Sequence, residues 1–443
     1  MYNVEYCRIV YAELALAIYS CSCNNDSMKY SQLFSQTSKF ISDQEKSLNA
    51  QLLTRAGYVD QLMAGVYSYL PLGLIVLRKI ENVIRRHMNE LGSQEVLMPT
   101  LHPSSIWKAT GGWDSIDVLF KLNSRTGNEY ALGQSEEEVV TPLVMSRAQS
   151  YKNLPLSVYQ VHWKYRDELR AKSGIMRGRE FLMKDMYSFH TSQEDFDAYY
   201  QKAKDVYLET FVELGLEAKV TEASGGNFTD KVSYEFEVLT DAGEDVIYYC
   251  EECDFCVEDE IAEVKPGDTC PRCGKGVLKE AKAAEVGNVF DLGQKFTRAF
   301  DLAYTDPEGK RQYAIMGCYG IGVSRVMGVI AEKHHDDKGL VWPKSVAPFT
   351  YHIVALPDEA NVAAGQKIYE ALGAENCLFD DRVEVSPGAK FADADLIGCP
   401  VQIVISRKTL EQNSVEVVSR SNVFETFLLP LDDIEQLEQR LEV

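Results

Sequence analysis

Two runs of alternating apolar and polar residues, separated by a short basic loop, constrain the fold of this chain more than any other feature. Tyr159, Val161, Trp163 and Tyr165 fall on one side of an extended strand, and Gln160, His162, Lys164, Arg166 and Glu168 on the other. After the loop Leu169–Gly178, the run Glu180–His190 is again strand-like. The pair predicts a long antiparallel hairpin with a polar face available to a ligand.

Other elements can be placed around it. Leu77, Ile80, Ile84, Met88 and Leu91 follow the three-and-four spacing of an amphipathic helix over Leu74–Leu91, and Gly92 predicts its stop. Glu95–Met98 reads as a short strand ended by Pro99. Ser192–Leu216 is helical by period, with Ser192 as N-cap. A strand, a glycine-rich turn and a helix beginning near Val323 follow Arg311. Pro343 and Pro348 bracket a linker to a final α/β region, in which Tyr351–Ala355 and Val401–Ile405 read as strands.

With 443 residues, 45% of them apolar and 25% charged, the chain is globular rather than disordered or fibrous, with room for two or three domains. Its 45 basic and 67 acidic side chains give a net charge of −22, so a nucleic-acid partner would have to meet local patches, not the bulk field. The segment Val161–His190 runs against that sign, with seven basic and four acidic residues, whereas Phe349 onward holds seven and seventeen. Eleven cysteines without a secretory signal point to a reducing cytosol. No apolar run has the length of a membrane span. Residues 1–27 are set apart as an N-terminal extension. Its semi-apolar stretch Ile9–Ser20 is interrupted by Glu13, and no clear cleavage site accompanies Cys21 and Cys23. A start assigned upstream is preferred there over a targeting peptide, with Met28 opening the recognisable part.

Cys250-Glu-Glu-Cys253 and Cys270-Pro-Arg-Cys273, sixteen residues apart, have the spacing of two knuckles that supply four thiolates to a structural zinc ion. A metal-free thiol cluster is the alternative, and Cys256 lies close enough to confuse the ligand set. Cys7, Cys21, Cys23, Cys377 and Cys399 are expected to be inert. Elsewhere, Arg166-Asp-Glu168 on the hairpin and Gly317–Arg325 before a helix offer cations and a glycine-rich turn of the kind that ATP-dependent adenylate chemistry requires. Taken singly these are weak signals.

Taken in order they are specific. With Gly65-Val-Tyr-Ser-Tyr-Leu-Pro-Leu-Gly73, Glu95-Val-Leu-Met-Pro99, Arg166-Asp-Glu168, Arg179-Glu-Phe-Leu-Met-Lys-Asp185 and Met316-Gly-Cys-Tyr-Gly-Ile-Gly-Val-Ser-Arg325, the chain from about Met28 to its end resembles the bacterial-type prolyl-tRNA synthetases. That resemblance implies an α/β (α+β) fold: a class II antiparallel sheet with flanking helices over 28–345, a zinc-ribbon insertion at 248–280, and an α/β anticodon-binding domain at 349–443. It implies ATP-dependent ligation of L-proline to tRNA(Pro) through a prolyl-adenylate, in the cytoplasm, by a homodimer whose interface is built near Pro99.

The resemblance also assigns roles. Arg166, Glu168 and Arg325 would be catalytic, and ATP would be bound by these together with Arg179, Phe181, Gly320 and Gly322. Leu132-Gly-Gln-Ser-Glu-Glu-Glu-Val139 stands where the family usually reads Gly-Pro-Thr-His-Glu-Glu, so Gln134, Ser135 and Glu136 depart from the pattern. Proline's secondary ammonium offers two N–H donors, which Ser135 and Glu137 could accept. Arg166, Met183, Asp185, Tyr187 and Cys318 are further candidates for the proline pocket. Mg²⁺ is expected with ATP, without assigned ligands. Asp380-Asp-Arg382, Ser386-Pro-Gly-Ala-Lys-Phe-Ala-Asp393 and Leu396-Ile-Gly398 match the anticodon module, with Arg382, Lys390 and Arg407 as expected tRNA contacts. Between His190 and Arg311 no room remains for the editing domain of many bacterial relatives, so a separate protein acting in trans is an implied partner. The rivals are a threonine, serine or glycine synthetase, and a synthetase-like regulatory or tRNA-binding paralogue without aminoacylation. The retained Arg166 and Arg325 speak against the last.

Overall fold

The hairpin expected from residue 159 to 190 lies within a nine-stranded sheet. Its strands are β1 (Gln94–Glu95), β2 (Leu156–Tyr165), β3 (Glu180–His190), β4 (Ala218–Ala223), β5 (Ser233–Leu239), β6 (Asp245–Tyr249), β7 (Cys256–Glu258), β8 (Lys279–Gly293) and β9 (Ile315–Ile321), in the order β5-β4-β7-β6-β8-β9-β3-β2-β1. The computed structural model describes residues 28–38, 46–226, 228–421 and 423–441. The extension 1–27, with Cys7, Cys21 and Cys23, lies outside the described residues.

β2 and β3 pair antiparallel from Leu156↔Phe189 to Tyr165↔Glu180. β3 meets β9 with Asp185↔Gly320 and Tyr187↔Cys318, and β9 meets β8 with Gly320↔Asn288 and Cys318↔Phe290. Directly paired residues share a face of a sheet. Phe181, Met183, Asp185 and Tyr187 therefore line up with Cys318, Gly320, Asn288 and Phe290. Helix α3, defined below, closes the same side, where Val140 and Val144 join a core with Tyr187, Phe189, Phe290, Leu292, Met316 and Cys318.

The longer helices of this unit are α1 (Leu48–Arg55), α2 (Pro71–Glu90), α3 (Glu137–Met145), α4 (Gln193–Glu213) and α5 (Val323–Lys333). α2 begins three residues before the sequence pattern does, because Pro71 stands at its start, where a missing N–H costs nothing. Gly92, with φ +80°, ends it as expected. The strand expected over Glu95–Met98 is shorter: Val96 N still donates to Tyr159 O at 2.8 Å, but Met98 N turns to the Gln160 side chain. Ser192 caps α4 by accepting from Asp195 N. α4 covers the sheet face away from α3, stacking Tyr207 and Phe211 on Phe236. Lys184 points to that side. It is fully buried, donates to Tyr319 O at 3.0 Å, and is pushed down to about 7 by burial.

Lys338–Val443 forms a second compact unit together with the described residues of Met1–Thr37, while Ser38–Asp337 forms the first. Its sheet contains β10 (Tyr351–Ala355), β11 (Cys377–Asp380), β12 (Val401–Ile405), β13 (Ser414–Ser419) and β14 (Phe427–Pro430). The order is β11-β10-β12-β13-β14, and Met28–Lys29 adds a parallel edge strand to β11. Helices α6 (Glu359–Ala371) and α7 (Pro387–Ile397) complete it. Residues 28–37, assigned by sequence to the catalytic domain, thus belong with the C-terminal unit. Pairing of Met28 with Leu378 and the bond from Ser31 N to Asp381 at 3.0 Å explain why. Among the described residues no helix is long and apolar enough to cross a membrane.

Gly398 ends α7 at φ +81°, and a Cβ there would lie 2.2 Å from Leu340 O. At Gly92 a Cβ would meet nothing within 4 Å. Gly92→Ala is expected to cost about 1 kcal/mol through its backbone alone, and Gly398→Ala about 2–4 kcal/mol because the clash adds to the strain. Thermal unfolding followed by circular dichroism checks the order.

Candidate active site

One cavity is lined by Arg166, Glu168, Met176, Arg177, Phe181, Met183, Glu285, Asn288, Gly320, Gly322 and Arg325. Arg166 follows the last residue of β2, and its N donates to Arg179 O at 2.9 Å. Its guanidinium lies 5.1 Å from the Phe181 ring centroid, and its buried Nε has no hydrogen-bond partner. Burial and the neighbouring Arg325 both lower its affinity for the proton. Arg325, in the first turn of α5, donates through Nε to Met176 O at 2.8 Å and through Nη1 to Glu285 Oε2 at 2.5 Å. Burial alone would lower Arg325, but Glu285 holds it above its usual value. Two guanidiniums beside a helix N-terminus make a receptor for a polyanion. Gly320 keeps it open: a Cβ there would lie 2.5 Å from Met183 Cε and 2.6 Å from Asn288 Oδ1.

Two assignments change here. Arg179, expected to bind ATP, donates to Glu168 O at 3.0 Å and Ala64 O at 2.9 Å, which fixes the loop instead of facing the cavity. Arg177 lines the cavity and pairs with Glu168 at 3.0 Å and Glu244 at 2.6 Å. Met183, expected beside proline, lines this cavity too. Sequence reasoning missed Arg177, Glu285 and Asn288. The signal for the last two was the alternating run Glu285-Val-Gly-Asn-Val-Phe290 after the cysteine module.

A second cavity shares Arg166 and Glu168 and is also lined by Gln134, Glu137, Asn288 and Phe290. Glu137 opens α3 and is buried; its Oε1 accepts from the Cys318 thiol at 3.0 Å. Burial raises its pKa, against hydrogen bonds from Cys318 and Ser135. A buried carboxylate at a cavity wall suits a cationic ligand. Behind it, Asp185 Oδ2 accepts from Tyr187 Oη and from Gln160 Nε2, each at 3.1 Å, and Tyr187 Oη accepts from Glu136 N at 3.0 Å. Glu136 turns into the interior, pairing with Lys164 at 3.0 Å and with His102 at 2.9 Å, and Lys164 also pairs with Asp185 at 3.0 Å. His102 Nε2 also lies 2.8 Å from Pro99 O; both its neighbours accept, so that nitrogen carries the proton. Of the residues assigned to proline, Glu137 and Arg166 line this cavity; Ser135, Asp185, Tyr187 and Cys318 stand behind it.

Cys250, Cys253, Cys270 and Cys273 converge so that their sulfurs all lie within 4.8 Å of one another. Two of these separations, Cys250 to Cys273 and Cys253 to Cys270, are 3.8 and 3.6 Å. A tetrahedron of thiolates about 2.3 Å from zinc has edges of about 3.8 Å. A Cβ at Gly276 would lie 2.3 Å from Cys250 Sγ, so glycine leaves the cluster its space. Cys256 stands apart, 3.1 Å from Thr221 Oγ1.

In the C-terminal unit the expected tRNA contacts divide. Lys390 is fully buried and donates to Ala355 O at 2.5 Å and Asp380 O at 3.1 Å. Arg382 is 9% exposed, paired with Asp380 and Asp393, and lies 3.7 Å from the Tyr30 ring centroid. Neither guanidinium nor ammonium is presented to a phosphate, so both assignments are withdrawn in favour of an internal ion network. Arg407 is exposed and pairs with Asp358 at 2.8 Å.

Comparison with known proteins gives the same architecture. Residues 120–334 match the tRNA synthetase class II core domain (G, H, P, S and T), and residues 345–439 match the anticodon binding domain. The proline–tRNA ligase of Wolbachia sp. subsp. Drosophila simulans is 38% identical over 406 residues, covering 89% of this chain and 96% of that protein. The proline–tRNA ligase of Anaplasma phagocytophilum is 38% identical over 424 residues, covering 92% and 99%. That of Pelotomaculum thermopropionicum is 32% identical, covering 92% and 98%, but its alignment runs over 566 residues, so it carries segments without a counterpart here. In fold, the chain is similar to a prolyl-tRNA synthetase from Cryptosporidium parvum solved with L-proline and AMP, at a TM-score of 0.70 and 18% identity, over 89% of this chain and 74% of that one. The chain belongs to the prolyl-tRNA synthetase family of class II aminoacyl-tRNA synthetases.

Proposed function

We propose that this chain activates L-proline with ATP and transfers it to tRNA(Pro). The observation that carries the reading is the pair of adjoining cavities that share Arg166, one lined by three guanidiniums and the other by the buried carboxylate of Glu137. A proline carboxylate oxygen attacks the α-phosphorus, a carboxyl–phosphate bond forms, and the bond to pyrophosphate breaks. A terminal ribose hydroxyl of the tRNA then attacks the prolyl carbonyl, and AMP leaves. Arg166 meets the α-phosphate, Phe181 offers its ring to adenine, Glu168 contacts the base, and Arg325 meets the departing phosphates once Glu285 releases it. Glu137 accepts from the ammonium of proline, with Ser135 beside it. Catalysis on this reading is positioning and electrostatics without a covalent enzyme intermediate.

Several features support the remaining assignments. Mg²⁺ accompanies ATP, and Glu285, a carboxylate lining the nucleotide cavity, could offer it oxygen. The thiolate cluster fits zinc, which would hold the module together without entering the chemistry. Leu97 and Leu101 are exposed on either side of Pro99, and Leu62 and Met63 are exposed on the hairpin spanning 59–69, which favours a homodimer. No disulfide joins two of the described cysteines, in keeping with the cytoplasm. Arg407 is the remaining candidate for anticodon contact. The segments that the longer relative carries and this chain lacks support an enzyme without cis editing, served by a separate hydrolase.

ATP–pyrophosphate exchange across a panel of amino acids is expected to be strong with proline, and exchange confined to another amino acid would refute the reading. Arg166→Ala is expected to lower exchange by about 10²–10³, and Glu137→Gln to raise the KM for proline by about 10- to 100-fold, the size of one lost charge-assisted hydrogen bond. Alanine should be activated measurably, since each missing methylene discriminates by only about 1–3 kcal/mol; purified enzyme that deacylates Ala-tRNA(Pro) faster than buffer would contradict the absence of editing. Metal analysis should find about one zinc per chain, lost in Cys250→Ser together with thermal stability.

A further inference from the structure

Five strands of the large sheet close on themselves. β5 pairs with β4, β4 with β7, β7 with β6, β6 with β8, and β8 returns to β5. Ile247, Cys256 and Ala283, from three of these strands, are buried together. An acidic group adjoins them, with Glu258 paired directly to Ile247. Glu235 and Glu237 are two apart on β5 and so share a face, and Glu258 on β7 completes a set whose carboxylate oxygens lie within 4.8 Å of one another.

Glu237 sets this cluster apart from a solvated acidic patch. It is fully buried, and neither of its carboxylate oxygens has a hydrogen-bond partner. Burial, then the surrounding carboxylates, raise the pKa of all three acids. Glu235 and Glu258 lie within hydrogen-bonding distance of each other, an arrangement that needs a proton or a cation between them. The nearby guanidinium of Arg325 is already committed to Glu285. An isolated buried carboxylate is costly, and the two half-buried carboxylates beside Glu237 add to the cost. Oxygen-only donors select a hard divalent cation, and a spread of up to 4.8 Å matches ligands placed across an ion at about 2.1–2.4 Å.

We propose that Glu235, Glu237 and Glu258 hold a hard divalent cation, Mg²⁺ or Ca²⁺, between β5 and β7, bound whether or not nucleotide is present. Glu235 also lines the cavity that contains Arg166 and Glu285, which gives the ion a route of entry. The site is separate from magnesium carried in by ATP, and it stands or falls independently of the aminoacylation reading. Its work is structural and electrostatic: it ties β5 to β7 behind β8 and removes repulsion beneath a cavity that must receive phosphates.

The test uses the full zinc-loaded chain without ATP, proline or tRNA, with Mn²⁺ as the probe, followed by electron paramagnetic resonance and calorimetry. About one saturable Mn²⁺ per chain is expected, displaced by Mg²⁺ or Ca²⁺, and weakened at least about tenfold in both Glu237→Gln and Glu258→Gln. Thermal stability should rise with Mg²⁺ or Ca²⁺ in the parent chain. Glu237→Gln keeps the shape and removes a charge, so it should fold, unfold at a higher temperature than the parent without added cation, and lose the cation-dependent rise. No saturable binding would overturn the site and leave a shared proton as the account of the cluster. Binding that is unchanged in both variants, or lost only in Glu285→Gln, would overturn it as well.

Discussion

The active site rests on the register between β2, β3, β9 and β8. Because side chains alternate along a strand, a slip of one residue would send every functional group on that strand to the opposite face. In the observed register Phe181, Met183, Asp185 and Tyr187 share the face that carries the cavities, the first two lining one and the last two standing behind, while Leu182, Lys184 and Met186 are buried on the other side. The helices lock this arrangement from both faces: α3 through Val140 and Val144, α4 through its aromatic side chains. Ser324 adds a direct tether, accepting from Leu182 N at 2.8 Å. The turn that presents Arg325 is thereby fixed to the strand that presents Phe181.

Charge burial is the second constraint. Glu136, Lys164, Asp185 and His102 are all buried, and such a network gains little net stability over an apolar core, although removing one member costs about 3–5 kcal/mol. Its value here is orientation. Lys164 spans Glu136 and Asp185, Asp185 receives Tyr187, and Tyr187 receives the backbone of Glu136, so the loop before α3 is held by polar contacts on both sides. The Glu136 departure from the usual family pattern is intelligible in this light. It does not reach for the substrate; it supplies the acceptor that Lys164 and His102 need.

Much of this was legible in sequence, for a definable reason. Alternation and helical period report which face of an element is apolar, so β3, β10, β12 and the Ser192 cap could be read within a residue. Periodicity does not report what a charged side chain meets across the fold. Lys390 and Arg382 looked like surface cations and instead neutralise Asp380 and Asp393, while Arg177 rather than Arg179 lines the cavity because loop geometry decides which of two neighbouring arginines turns inward. The acidic cluster was invisible for a similar reason: Glu235, Glu237 and Glu258 come together only through pairings between strands that are not consecutive in sequence.

The cysteine module has a bearing on the order of assembly. It is the excursion between β6 and β8, interrupted only by β7, and its ends meet where Tyr249 pairs with Lys279. Forming that pair in an open chain means closing a long loop against its entropy. A thiolate cluster that gathers early would draw the two strands together beforehand, leaving β8 a short search for its partners. The cysteine module would then act as a clasp that starts a zipper, and the zipper's far end carries Glu285 and Asn288 into the cavity beside Arg325.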